Sequence, residues 1–293
     1  MCLVVVLYCH GRTITMSESP NDKDLVINRS LRRPIRIGFV NWVGLATLYL
    51  REVKRFMKVG VQTLIAPMVT SVLFLMVFSL AIGERAGFTG DVDFVGFLIP
   101  GLVMMSVLQN AFANTSSSIV ISKVQGNIVD LLMPPLGPAE LLLGLSASGM
   151  TRGFFVGLIT AFILMIMGNI SMPVNIWVAF LFLILGALMM SFAGILAGIW
   201  ANKFDEMAAI TNFLVQPLTF LSGTFYSIDR LPEPFNFVAG LNPVFYTIDG
   251  FRYGIIGVAD RSLMVGFFVL LAVNSILGIL CYRALLMGYK LKS

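Results

Sequence analysis

Five side chains able to line a wet path or to bond across helices recur at helical spacing within one apolar run: Ser106, Gln109, Asn110, Asn114 and Ser117. At roughly 100° per residue they fall within about 140° of one another. In hydrocarbon such groups must turn toward protein or water. They serve either as interhelical hydrogen-bonding glue or as the lining of a translocation path, with Gln109, Asn110 and Asn114 as the path candidates. Other reactive types are sparse. His10 is the only histidine, and Cys2, Cys9 and Cys281 lie far apart, so neither a metal-ligand spacing nor a disulfide framework emerges. The sequence holds no G-x-x-x-x-G-K-S/T phosphate loop, no G-x-S-x-G, no H-E-x-x-H and no C-x-x-C. Catalytic, cofactor-binding and metal-ligating residues are therefore expected to be none. A lipid-modifying membrane enzyme would have to conscript Glu84, Asp91, Asp93 and Asp249 without a histidine partner.

The elements that position these residues follow from composition. Of the 293 residues, 58% are hydrophobic and 12% charged, about half the usual charge of a soluble domain. Mean hydropathy is +0.91. Six runs approach the roughly 20 apolar residues needed to cross about 30 Å of hydrocarbon: 64–82, 94–120, 142–167, 174–200, 208–225 and 263–285. The expected fold is thus an all-α polytopic membrane protein with six transmembrane helices. All fifteen Asp and Glu residues fall outside these runs. Ion-coupled transporters usually carry intramembrane carboxylates, so a secondary transporter or channel is the weaker alternative, and energy for uphill movement would come from another chain.

Net charge is +5, but its placement argues against nucleic acid as a partner. Ten of the twenty Lys and Arg residues lie between Arg12 and Lys58, the pattern of a cytoplasmic flank. With both termini cytoplasmic, the inside carries sixteen basic residues and the outside four: Arg85, Arg230, Arg252 and Arg261. Arg152 is counted inside, on the expectation that it snorkels from a helix end to the interface; a wet cavity is the alternative.

Residues 1–40 read as a cytoplasmic arm, with Met16 as the expected native start and 1–15 as an upstream extension. Residues 41–60 read as an amphipathic interfacial helix. Trp42, Leu45, Tyr49, Val53 and Phe56 form one face, and Arg51, Lys54, Arg55 and Lys58 another, about 170° away. Residues 61–293 form the transmembrane domain. Between the second and third runs, a short helix from Gln125 to Met133 is ended by Pro134-Pro135. A new helix starts near Pro138, with Glu140 at its positive end. The segment 222–260 is too broken by proline and glycine to span and too apolar for a free loop, which points to re-entrant helices.

These segments resemble the ABC-2-type permeases, the membrane subunits of bacterial ABC exporters, and among them the YadH-like inner-membrane group. The resemblance runs from about Trp42 to the C-terminus. It is carried by Ile99-Pro100-Gly101, Asn110-Ala111-Phe112-Ala113-Asn114, Gln125-Gly126-Asn127-Ile128 and Leu131-Leu132-Met133-Pro134-Pro135. Gly223-Thr224-Phe225-Tyr226-Ser227, Leu241-Asn242-Pro243 and Gly250-Phe251-Arg252-Tyr253-Gly254 complete it.

The resemblance implies a permease of the bacterial inner membrane that pairs with a second copy, a homodimer, and with two cytoplasmic ATPase subunits. ATP and Mg would be bound by the ATPase and none by this chain. It implies a coupling helix at Gln125–Leu132, with ATPase contacts from Lys123, Gln125, Asn127, Asp130, Leu131 and Leu132. Members often carry arginine where this chain has Lys123 and Gln125. It also implies outer re-entrant helices gating the exit between spans five and six, with Phe225, Tyr226, Asn242, Pro243, Phe251, Arg252 and Tyr253 at the gate. The cargo implied is a drug, a lipid or a lipid-linked saccharide, moved outward.

Overall fold

The computed structural model describes residues 40–82, 93–132, 134–168, 173–228, 232–233 and 235–290. The expected arm lies outside them except for Val40, as do Met16, Glu84 and Asp91. Among the described residues all regular structure is helical. The helices are α1 (Trp42–Lys58), α2 (Gly60–Ile82), α3 (Phe94–Val124), α4 (Ile128–Leu132), α5 (Pro138–Met167) and α6 (Ile176–Trp200). They continue with α7 (Phe204–Ile210), a π-helical turn (Thr211–Val215), α8 (Gln216–Phe220), α9 (Phe235–Leu241), α10 (Pro243–Ile256) and α11 (Leu263–Met287). Five of them, α2, α3, α5, α6 and α11, are long and apolar enough to cross a membrane.

The most polar of these, α3, is also the most deeply buried. In its most apolar stretch 83% of residues are buried, against 11% for α2 and 17% for α11. Lipid solvates apolar surface as well as protein does, so helices associate by close packing and polar bonds rather than by hydrophobicity. Two glycine rows supply the closeness. On α5, a Cβ at Gly153 would lie 3.0 Å from the Val107 carbonyl, and one at Gly157 would strike the Val107 side chain. On α6, a Cβ at Gly194 would strike Thr115, and one at Gly198 would lie 3.0 Å from the Ile119 Cβ. Small residues on both flanks let α3 run as the axis of the bundle. Thr115 then donates to the Ser191 carbonyl across the α3–α6 seam (3.0 Å).

Helix α1 lies along α5 with Leu48 and Phe56 buried and Leu45, Tyr49 and Val53 half-buried; Trp42, expected on that apolar face, is exposed, as are Val43, Leu50 and Met57. Glu140, in the first turn of α5, fixes this docking. Its two oxygens accept from the Asn41 and Gly137 N–H groups, both at 2.6 Å. Asn41 in turn caps α1 by accepting from the Gly44 N–H (2.9 Å).

Three local expectations change. The fifth run, expected at 208–225, is helical over 204–220 in abutting segments of seven, five and five residues, roughly 25 Å of rise. Its π turn and Pro217 interrupt the regular ladder. The helix expected from Gln125 begins at Ile128 instead, because Gly126 adopts a positive φ of 71° and closes α3 with a turn. Arg152 is not near a helix end. Since α5 starts at Pro138, Arg152 sits about 21 Å along its axis, too deep to snorkel.

Candidate functional site

A cleft of about 540 Å³ opens between α2, α3, α5 and α8, and Thr70, Ser71, Gln109, Asn110, Arg152 and Gln216 line it. Ser71 and Ser106 share a hydrogen bond at 2.8 Å in which one hydroxyl donates to the other, and the accepting hydroxyl donates back to its own helix, to the Pro67 carbonyl for Ser71 or the Leu102 carbonyl for Ser106. Gln109 donates to the Thr219 hydroxyl (3.3 Å), tying α3 to α8. The Asn110 amide donates to the Ser106 carbonyl, which aims its oxygen at Arg152 (Nη2 to Oδ1, 3.1 Å).

The polar face of α3 divides within one turn. Asn110 and Gln109 reach the cleft, but Asn114 does not. Asn114 donates to Ser148 (3.0 Å), and its side-chain and backbone oxygens accept from Arg55 (3.2 and 2.8 Å), which also reaches Ser117 (3.2 Å). Arg55 comes from α1, where Glu52 bonds it at 3.0 Å and is itself only 1% exposed. The face therefore serves as glue at Asn114 and as cavity lining at Asn110. Glu52 and Arg55 were hidden in the sequence because the basic face of α1 reads as uniformly exposed. An acidic residue three positions before Arg55 was the available signal.

Arg152 differs from Arg55. It makes one hydrogen bond, to Asn110, and its Nε is buried without a partner. The cleft contains no Asp or Glu among the described residues. An uncompensated arginine near the middle of a membrane helix carries a penalty of roughly 2.5–3.5 kcal/mol on insertion scales.

Below the cleft, α4 exposes one side and anchors the other. Val129 and Asp130 face outward, as do Gln125 and Asn127 in the turn before the helix. Ile128 and Leu131 are buried in a cluster with Leu48, Leu141, Leu145 and Ile195. The Leu132 backbone ends the helix. Lys123 is engaged within the bundle: its ammonium donates to the Ile199 and Ala201 carbonyls (2.5 and 3.1 Å), capping α6.

Above the cleft, α8 to α10 form a plug. Phe225 stacks with Phe78 and Phe220 at centroid distances of 4.5 and 5.4 Å. Tyr226 packs on a small cluster of Ile228, Ala239 and Phe245, and burial raises the pKa of its phenol. Asn242 caps α10 through the Val244 N–H (3.0 Å), donates to the Leu218 carbonyl (2.8 Å), and leaves Pro243 at the tolerated first position. Phe251 is buried and Tyr253 half-buried. Arg252 is fully buried, 3.8 Å above the Phe97 ring, and donates to the Gly223 carbonyl (2.6 Å). Asp249 accepts from the Asp260 and Arg261 N–H groups (2.8 and 3.1 Å), and Asp260 accepts from Ile228 N–H (3.0 Å). Burial pushes the Asp249 carboxyl up to about 6, against the pull of those N–H groups and of Arg252. At Gly254, a Cβ would lie 2.4 Å from the Ala179 nitrogen, which explains why α10 can lie flush on α6.

The chain matches the ABC-2 type transporter model over residues 44–256. It is 37% identical to the inner membrane transport permease YadH of Escherichia coli strain K12 over 253 residues, 86% of this chain and 98% of that protein. It is also 21% identical to nodulation protein J of Rhizobium leguminosarum bv. viciae over 237 residues, 78% of this chain and 88% of that one. A bundle of long apolar helices around a polar axis, matched in sequence across most of its length, places this chain in the ABC-2-type transport permease family.

Proposed function

We propose that this chain is the membrane half-subunit of an ATP-driven exporter, working as two permease copies with two cytoplasmic ATPase subunits that bind ATP and Mg. One observation carries the reading: a chain similar to a transport permease over nearly that protein's whole length contains no phosphate loop in its sequence. Energy then comes from a separate chain.

In this reading the protein lies in a bacterial inner membrane with both termini cytoplasmic, and the 204–220 helix completes a sixth span. The exposed side of α4, with Val129 and Asp130, and the turn before it, with Gln125 and Asn127, contact the ATPase. Ile128 and Leu131 transmit its movement into α1, α5 and α6, while Lys123 holds α3 to α6. A hydrophobic or amphiphilic cargo uses the cleft beside α3 and leaves past the plug built on Phe225, Asn242 and Arg252. A two-state element biased by ATP is required, and rocking of α1 with α3 and α5 about the Arg55 network is the candidate.

The test is co-expression and co-purification with an ABC ATPase subunit from the same organism, followed by ATP hydrolysis by the complex. Val129→Asp and Asp130→Lys change only exposed side chains of α4. Loss of assembly or of stimulated hydrolysis by at least tenfold in these variants is the expected result. A chain that recruits no ATPase and instead moves solute down an ion gradient would be a secondary transporter, and the exporter reading would fall.

A further inference from the structure

Arg152 brings a positive charge to the cleft that the bundle does not neutralise. One of its N–H groups is used by Asn110, and Nε is buried without a partner. The charged group acting on it is Arg55, of like sign, and Arg55 is already occupied by Glu52 and by the α3 carbonyl of Asn114. Thr70 and Ser71 bring hydroxyls to the same space, and Gln109 and Gln216 bring amides. Thr70 and Gln216 stand at the exposed mouth. Ala66, Pro67 and Met105 supply an apolar wall beside them.

A guanidinium offers a planar fork of N–H donors that matches the two oxygens of a carboxylate or phosphate. At about 540 Å³ the space holds a headgroup with part of its chain, not only a lone ion. A neutral hydrophobic molecule would leave the Arg152 charge buried and uncompensated, whereas an oxyanion completes it. We infer that this cleft is a binding site for the phosphate or carboxylate headgroup of an anionic amphiphile, with Arg152 as its anchor. The inference rests on the exporter reading only where it names the class of cargo; the anion site is a property of this chain alone.

The experiment uses the full purified chain in maltoside detergent, with adduct populations read by native mass spectrometry. Phosphatidylglycerol, phosphatidylcholine and inorganic phosphate are the probes. The wild type is expected to prefer phosphatidylglycerol over phosphatidylcholine by at least tenfold. Arg152→Gln reduces that preference to within twofold, and Arg152→Lys, which keeps the charge but not the fork, retains part of it. Arg51→Gln, a half-exposed cation on α1, leaves the preference intact. Should Arg152→Gln fail to fold, Gln216→Leu at the mouth is expected to lower phosphatidylglycerol binding at least threefold.

Displacement of phosphatidylglycerol by millimolar inorganic phosphate, in an Arg152-dependent way, assigns the same site to a soluble oxyanion as well. No displacement assigns it to lipid headgroups. An unchanged preference in Arg152→Gln, or an equal loss in Arg51→Gln, overturns the site. The two readings separate cleanly: an ATPase complex that assembles while Arg152→Gln keeps its preference defeats the anion site alone. Anion selectivity without any ATPase partner defeats the exporter reading alone.

Discussion

Arg252 is fully buried and Arg152 partly so, and the two live in different surroundings. Arg252, in the plug, has a ring beneath it, a backbone carbonyl at 2.6 Å and the fields of Asp249 and Asp260 around it. Arg152, in the cleft, has one amide oxygen and no acid. The first is a structural rivet: a ring and two carboxylates that the fold positions surround its charge, although its Nε and Nη1 are buried without hydrogen-bond partners. The second is compensated only in part, and the space beside it is open. Both carry a buried nitrogen without a partner, so what separates them is the company of carboxylates around Arg252 and the open, acid-free space beside Arg152.

The largest test of the contrast falls on the plug. Gly254→Val would push side-chain atoms against the Ala179 backbone, which cannot yield as a flexible side chain does. A destabilisation of about 3 kcal/mol or more is expected, seen as loss of a monodisperse peak in size-exclusion chromatography. A comparable change at the cleft mouth, Thr70→Val, should leave the peak intact.

The arginines themselves give the next largest effect. Arg252→Met should destabilise by about 3 kcal/mol, because it forfeits the ring contact and a charge-assisted hydrogen bond. Arg152→Met should stay within about 1 kcal/mol of the wild type or gain stability, since little in the fold depends on that charge. Melting of the two variants in detergent compares them directly; equal losses would erase the distinction.

A third effect is set by pH. The Asp249 carboxyl is raised from 3.8 to about 6 in the folded chain, so the folded state holds its proton more tightly than the unfolded state. Its contribution is complete below about pH 4 and is lost as pH rises through 6, with an upper limit of roughly 3 kcal/mol. Melting temperature should fall across that window and level off above it. Asp249→Asn should flatten the slope, while Arg152→Gln should leave it in place.

The smallest effect belongs to the cleft wall. Ser71→Ala removes the hydroxyl pair with Ser106, worth about 0.6 kcal/mol between membrane helices. A loss well above that would show that the wall is load-sharing structure rather than lining.

Much of the architecture was legible because hydrocarbon imposes simple demands. A helix that crosses needs a long apolar run, and α2, α3, α5, α6 and α11 overlap the runs at 64–82, 94–120, 142–167, 174–200 and 263–285. The amides of α3 stood out against the same apolar background. Where the reading slipped, a single backbone or side-chain contact was decisive. Gly126 shortened α4 through its positive φ, and the π turn at Thr211–Val215 broke the fifth run, although no composition rule forbids a regular helix there.

By itself, then, the sequence determined that this chain is a helical membrane protein with a polar axis and no nucleotide loop of its own, because length, hydropathy and residue type suffice for those conclusions. Only the tertiary structure decided which polar residue serves which end. Asn110 and Asn114 lie on one face of one helix and look alike in sequence. Arg55 arrives from α1 to fill Asn114, whereas Arg152 reaches Asn110 from α5 and leaves the space beside it open. Partner choice of that kind depends on which helices pack together and at what depth: Glu52 is the one local mark beside Arg55, and residue 152 carries none.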